Sequence, residues 1–547
     1  MSVPSYQRIG KPRKWNQVRH VVDPDALDYY VNRKLKDHDY VKEMTKEDIL
    51  SQMPELEMHT EPRLHQLQCF YLTTYYRSFL LYMDMGAGKT KVILDTIVYR
   101  KKYHGMRSVL VLTLNLPSAK TWVDECRKHA PNLKIRILKG TGEDRNRIIE
   151  GTDADIYVTN YQSLLLMLCD HMAPHGKRTT KWLEKAKYLR RFIPKIDTLV
   201  IDEGHMISNC NSKLWKLANR IGKRCRFRYM LTGTPFGRDP TPLFGEFLMI
   251  DNGETFNETI GMFHAAFYDW KQGFFGGKWV FNKKTEPLLK RMVRNRAIAF
   301  ENVEFADMPE VVSQTISVEQ TPRMQRVYAT LVEELLRYRG SKLLENQFVN
   351  LRQCTSGYQT VWDKAKNERQ HELQLLGLEK KTRSYIDLGI NPKLDALEGL
   401  LMSLPPGAKF IVFAEYRHTV EMIGELLKKL KIKHVLLYGG TRDSIAALEQ
   451  FYENKSVLGL VANNVSGSMS INPQHVCHYA IFYETSVRPI IRQQAEKRLD
   501  RPGQKNIVFI YDIVVRNSVD DKIRQWLREG KDMLEAIIRD GPQRNLF

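Results

Sequence analysis

Three short stretches of this 547-residue chain place side chains where phosphoryl chemistry needs them. The first is Met83-Asp-Met-Gly-Ala-Gly-Lys-Thr90, which follows the apolar run Phe79 to Tyr82 and precedes a helical pattern beginning at Lys91. A glycine-rich strand-to-helix turn of this kind cradles phosphates with its backbone N–H groups. Its lysine, Lys89, reaches the terminal phosphates, and its hydroxyl residue, Thr90, takes a magnesium ion. Gly86, Ala87 and Gly88 form the cradle, and Met83 stands where the strict pattern carries its first glycine. The second stretch is Leu199-Val-Ile-Asp-Glu-Gly-His205, an apolar strand that ends in adjacent carboxylates. At such a strand end Asp202 suits the magnesium shell, and Glu203 suits the orientation and deprotonation of an attacking water. The third, Gln494-Ala-Glu-Lys-Arg-Leu-Asp-Arg-Pro-Gly-Gln504, sets Arg498 and Arg501 three apart on one helical face. Arginines supplied from a second lobe neutralise the charge that develops on a transferred phosphoryl group.

These residues need rigid elements to carry them. Short apolar runs rich in β-branched residues predict strands at Ser108 to Leu114, Ile156 to Asn160, Thr198 to Asp202 and Arg228 to Thr232, with helical segments between. The rhythm restarts at Phe410 to Ala414, His434 to Leu437, Val457 to Ala462, Tyr479 to Tyr483 and Ile507 to Val514. That alternation predicts an α/β fold with two parallel-sheet lobes, at 61–255 and 386–515. Between them, 256–385 reads as a helical insertion and linker, with helices expected at Gln320 to Arg339 and Asn367 to Lys381. Residues 1–60 read as an accessory helical segment, and 516–547 as a C-terminal helix.

Composition narrows the partners. A hydrophobic fraction of 43% gives the chain real cores, and a formal charge of +21 steers it toward a polyanion. Seven cysteines are scattered without metal-ligand spacing, no apolar run reaches the roughly 18 residues of a membrane span, and no signal peptide opens the chain. A cytoplasmic setting is expected. One basic run interleaved with aromatics, from Lys177 and Arg178 through Lys181 and Trp182 to Arg191, has the composition that grips a phosphate backbone; it fits a solvated helix face equally well.

Taken in order, the stretches resemble superfamily-two helicases, and more narrowly the Swi/Snf-type DNA translocases, from about residue 61 to 540. Leu64-His-Gln66 resembles the glutamine motif that recognises adenine, so Gln66 joins the nucleotide set. Trp122 with Glu125 is similar to motif Ia, and Val158-Thr-Asn-Tyr161 to motif Ib. Leu231-Thr-Gly-Thr-Pro235 resembles motif III, which gives Thr232, Gly233 and Thr234 a coupling role. In the second lobe Asn391-Pro-Lys-Leu394, Phe410 to Phe413 and Tyr438-Gly-Gly-Thr441 match the lead-in, motif IV and the turn after it, while Ser518 to Ile523 resembles the brace helix. Asp84 replaces the family's usual glutamate. Motif V, normally Gly-Gly-x-Gly-Leu-Asn-Leu, reads Gly467-Ser-Met-Ser-Ile-Asn-Pro473.

The resemblance implies two RecA-like lobes and a DNA-dependent ATPase that uses ATP and magnesium to move along double-stranded DNA. It implies backbone contacts from Thr159, Asn160, Gly440, Thr441, Ser466 and Gly467 beside the basic run, and a compact bacterial or phage-type member. A strand-separating DNA or RNA helicase, a motor subunit of a nuclease complex and a catalytically inert nucleic-acid scaffold are the alternatives.

Overall fold

The computed structural model describes residues 23–53, 57–172, 181–184, 195–233, 239–273, 276–300, 308–337, 341–362 and 383–529. The chain forms two compact units, the first from residues 1–271 and 278–307, the second from 272–277 and 308–547.

The first unit is built on a seven-stranded, all-parallel sheet. Its strands are β1 (Ser78–Met83), β2 (Ser108–Thr113), β3 (Ile135–Ile137), β4 (Ile156–Asn160), β5 (Ile196–Asp202), β6 (Phe227–Thr232) and β7 (Ala297–Phe300), in the order β7-β1-β6-β5-β2-β4-β3. Successive residues of a strand face opposite sides. Leu80 and Tyr82 therefore enter one apolar core, while Phe79, Leu81 and Met83 enter another. Burial on both faces explains why these strands read as continuous apolar runs and not as alternating ones.

The described residues before 60 pack into this body. Asp23 caps the helix Pro24–Asn32, and Tyr30, Val41 and Ile49 are fully buried in the two cores.

The second unit repeats the plan with six parallel strands: β8 (Val311–Val318), β9 (Phe410–Ala414), β10 (His434–Leu437), β11 (Gly459–Asn463), β12 (Tyr479–Phe482) and β13 (Val508–Val515). Their order is β8-β13-β12-β9-β11-β10. The segment 256–385 is shared between the units: β7 extends the first sheet, and β8 pairs along β13 in the second. Within or bordering it are the helices Pro322–Arg337 and Ser341–Thr355 and two two-stranded sheets, Tyr268–Gly273 with Gly276–Phe281 and, antiparallel, Tyr358–Trp362 with Arg383–Asp387. Asn367 to Lys381 lies outside the described residues. No helix among the described residues is long and apolar enough to cross a membrane.

Candidate nucleotide site and its supports

The ends of β1, β6 and β5 lie side by side, with Tyr82 beside Thr232 and Leu231 beside Asp202. The phosphate-binding turn follows β1, the Thr232-Gly233 turn follows β6, and the carboxylate pair closes β5. The sheet order thus brings together residues up to 150 positions apart at the C-terminal edge where open α/β sheets bind ligands.

In the first turn Gly86 and Gly88 have φ of 84° and 87°, a left-handed conformation that favours glycine. Gly88 is also the N-cap of the helix Lys89–His104, and a Cβ there would come within 2.2 Å of Gln66 Nε2. Gln66 is buried against the turn: its Nε2 donates to Ala87 O at 3.0 Å, and its Oε1 accepts from Arg63 N at 3.1 Å. His65 Nε2 stands 2.9 Å from the same Ala87 carbonyl. Lys89 Nζ donates to Met83 O at 2.7 Å and to Asp84 O at 3.3 Å, and a Cβ on Gly233 would stand 3.6 Å from it. The lysine therefore lies over the turn and against the Thr232-Gly233 backbone. Thr90, the second residue of the helix, is half-buried beside it.

At the end of β5, Trp122 Nε1 donates to Asp202 Oδ2 at 2.9 Å. Tyr161 OH donates to the Asp202 carbonyl and lies 3.3 Å from Glu203 O. Glu203 itself has φ 58° and ψ 52°, a left-handed conformation uncommon for a residue with a side chain. Its Oε2 is buried without a hydrogen-bond partner, 3.5 Å from His205 Nδ1, and that nitrogen is 3.0 Å from Thr232 Oγ1. Burial pushes the His205 pKa below its usual value, and nearby Lys89 adds to that, against the opposing pull of Glu203. The imidazole therefore bridges the carboxylate and the next strand as a neutral group.

Such a cradle, with a lysine over it and two strand-end acids beside it, fits a nucleoside triphosphate with a divalent cation. Thr90 and Asp202 could hold the metal, and Glu203 is placed to meet a water. The sequence assigned no role to His65, Tyr161 or His205, and it left Trp122's contact with Asp202 unseen.

The second unit treats its arginines differently. Arg498 is 8% exposed; its Nε donates to Ser468 O at 2.5 Å and its Nη1 to Ile471 O at 3.2 Å. Arg501, half-buried, donates from Nη1 to Asn472 Oδ1 at 2.7 Å. Both arginines thus brace the turn after the short helix Asn464–Ser470. Arg492, on the preceding helix Pro489–Glu496, reaches Asp512 at 2.5 and 3.1 Å and Glu496 at 2.7 Å, and lies 3.4 Å over the Phe482 ring. Lys393 of the lead-in pairs at 2.9 Å with Asp520 of the helix Val519–Arg528.

The residues expected to touch nucleic acid are spread. Thr159 is 1% exposed within β4, and Asn160 caps the helix Tyr161–Leu168 through Ser163 N at 2.7 Å. Gly440 is exposed, and Thr441 closes its turn by accepting from Tyr438 N at 3.0 Å. Ser466 is half-buried, whereas Gly467 is buried so closely that a Cβ would meet Phe413 at 2.6 Å. Lys181 begins the strand Lys181–Glu184, which pairs with Cys169–Met172; Lys177, Arg178 and Thr234 lie outside the described residues.

Comparison with known proteins gives three results. A family model described as SNF2-related domain matches residues 42–378, more than half of the chain. An uncharacterized ATP-dependent helicase of Mycoplasma genitalium is 22% identical over 472 residues, covering 83% of this chain and 40% of that protein. The transcription regulatory protein SNF2 of Saccharomyces cerevisiae is 22% identical over 489 residues, covering 84% of this chain and 26% of that protein. The chain therefore spans well under half the length of either relative. Among solved structures, the Sulfolobus solfataricus SWI2/SNF2 ATPase core in complex with dsDNA aligns with 88% of this chain and 93% of its own, at 21% identity and a TM-score of 0.38.

Proposed function

Because the chain belongs to the SNF2-related domain family, we propose that it is a DNA-dependent ATPase that hydrolyses ATP with magnesium and moves along double-stranded DNA. The observation that carries this reading is the meeting of the Gly86–Thr90 turn with Asp202 and Glu203 at neighbouring strand ends. The turn and Lys89 bind and orient the phosphates, with Gln66 holding the turn from behind. Asp202 and Thr90 hold the cation, which when bound neutralises charge on the β- and γ-phosphates. Glu203 orients the attacking water and accepts its proton. Thr232 and Gly233 report the state of the phosphate end to the next strand through His205 and Lys89. Of the two arginines expected to neutralise charge on the transferred group, Arg501 is the one that supplies it, and Arg498 shapes the turn that carries Arg501's partner Asn472.

The +21 charge and relatives named as ATP-dependent helicases support a nucleic-acid track. The exposed turn at Gly440 and Thr441, with Asn160, Ser466 and the Lys177, Arg178 and Lys181 run, would meet phosphates. The buried Thr159 and Gly467 would shape the turns around them. Contacts of that kind position a protein without reading sequence. ATP hydrolysis should be stimulated most by duplex DNA, less by single strands and least by RNA, whose A-form backbone is spaced differently. Displacement of a triplex-forming third strand without separation of the duplex is the expected signature. Robust unwinding of a forked duplex, or stimulation by RNA alone, would replace this reading with a strand-separating helicase.

A further inference from the structure

Two side chains that the proposed reaction does not itself use converge on the end of β5. Trp122 comes from the helix Leu116–His129, after β2, and is 1% exposed. Tyr161 opens the helix Tyr161–Leu168, after β4, and is 6% exposed. Their targets differ. The indole N–H touches the Asp202 carboxylate, whereas the phenol O–H touches the backbone carbonyls of Asp202 and Glu203.

The chemistry of the two donors suits the task. An indole has one N–H and no charge, so it fixes one oxygen of Asp202 in direction while leaving the negative charge for a cation. A lysine or arginine in its place would compete with that cation. The phenol meets the chain where Glu203 takes its left-handed conformation, a backbone state that persists only when its surroundings hold it.

We propose that Trp122 and Tyr161 are positioning residues with separate duties: Trp122 aims the metal-holding carboxylate of Asp202, and Tyr161 holds the peptide that presents Glu203 to the attacking water. This rests on the ATPase reading above, and it predicts two phenotypes that a packing role would not separate. Trp122→Phe keeps an aromatic ring and removes the donor. The half-saturating magnesium concentration for binding a fluorescent, non-hydrolysable ATP analogue should rise by about threefold to tenfold, with a matching fall in turnover. Tyr161→Phe removes one oxygen. Turnover should fall about tenfold, while the ATP KM and the magnesium dependence of analogue binding stay at their wild-type values.

Thermal melting of both variants separates folding from positioning. If either variant melts earlier but, well below its melting temperature, binds the analogue with wild-type magnesium dependence and turns over at the wild-type rate, its positioning role is overturned. Should Trp122→Phe fail to fold, Tyr161→Phe leaves the packing intact and still decides the second half, while Trp122→His, which restores a ring N–H, should recover part of the magnesium response. Should the wild type bind the analogue but hydrolyse no ATP, the ATPase reading fails while the magnesium titration still tests Trp122.

Discussion

At the working edge of the first unit the strand-end acids are supported by neutral groups: an indole donates to the Asp202 carboxylate, a phenol to the Asp202 backbone carbonyl, and an uncharged imidazole lies between Glu203 and Thr232. The second unit uses ions instead. Arg492 is locked between Asp512 and Glu496, and Lys393 is paired with Asp520. The difference follows from what each edge must offer. A residue that is to bind a cation or take a proton has to keep its charge available, so its supports should be neutral. An arginine that is to act at the end of a turn needs that turn made rigid, and buried ion pairs with satisfied hydrogen bonds do this at the cost of desolvation.

The largest effects expected lie at the neutral edge. Lys89→Ala and Glu203→Gln should each bring hydrolysis to background by different routes, which equilibrium nucleotide binding separates. The lysine variant loses affinity or charge neutralisation, whereas Glu203→Gln should bind ATP normally and turn over at least ~10²-fold more slowly. Near wild-type turnover in Glu203→Gln would remove the glutamate from the reaction and with it the reason for the neutral supports.

Next come the two arginines of the ionic edge, which the structure distinguishes. Arg501→Ala should cut turnover about 10³-fold with ATP and DNA affinity and melting temperature spared, as expected of a group acting on transition-state charge. Arg498→Ala removes a buried guanidinium from the Ser468 and Ile471 carbonyls. Each such bond contributes roughly 1.5 to 3 kcal/mol, so the melting temperature should fall by ~5 °C or more along with turnover. Calorimetry beside a turnover assay checks both, and equal melting of the two variants would erase the distinction.

How much of this could be read from the sequence depends on range. Strands buried on both faces announce themselves: Ile156–Asn160 and Phe410–Ala414 lie where the apolar runs put them. The glycine turn and the strand-end acids are local patterns too, and the sheet gathers them as their spacing implied. Edge strands were harder. Ala297–Phe300 is apolar but only four residues long, and Val311–Val318 is half exposed and has Ser313, Gln314, Thr315 and Ser317 among its apolar residues, so the segment around them read as helical. The supports were illegible for a different reason. Trp122 and Asp202 are 80 positions apart, Tyr161 and Asp202 are 41 apart, and nothing local to either partner records the contact. For Arg498 the spacing marked a functional arginine, but only the fold shows its guanidinium turned onto the carbonyls of the Asn464–Ser470 turn.

One buried acid of the first unit lies away from this edge, and it gives the smallest expected effect. Glu246, on the helix Thr241–Asp251, is fully buried; its Oε2 accepts from Tyr82 OH at 2.9 Å, and its Oε1 has no hydrogen-bond partner. Burial raises its pKa to about 8, with the Tyr82 bond opposing. The folded protein therefore keeps this proton where the unfolded chain, with a carboxyl near the ordinary 4.5, has already released it. Stability from this group is fully present below pH 4.5 and is lost as pH rises toward 8, with a slope that approaches ~1.4 kcal/mol per pH unit for one proton. Glu246→Gln cannot titrate and keeps an acceptor for Tyr82. Urea unfolding of the first unit between pH 5 and 8 should therefore lose stability less steeply in the variant than in the wild type. If the two slopes coincide, Glu246 is already ionised in the folded state, and the first unit holds a buried charge beside β1 just as the second unit holds its own.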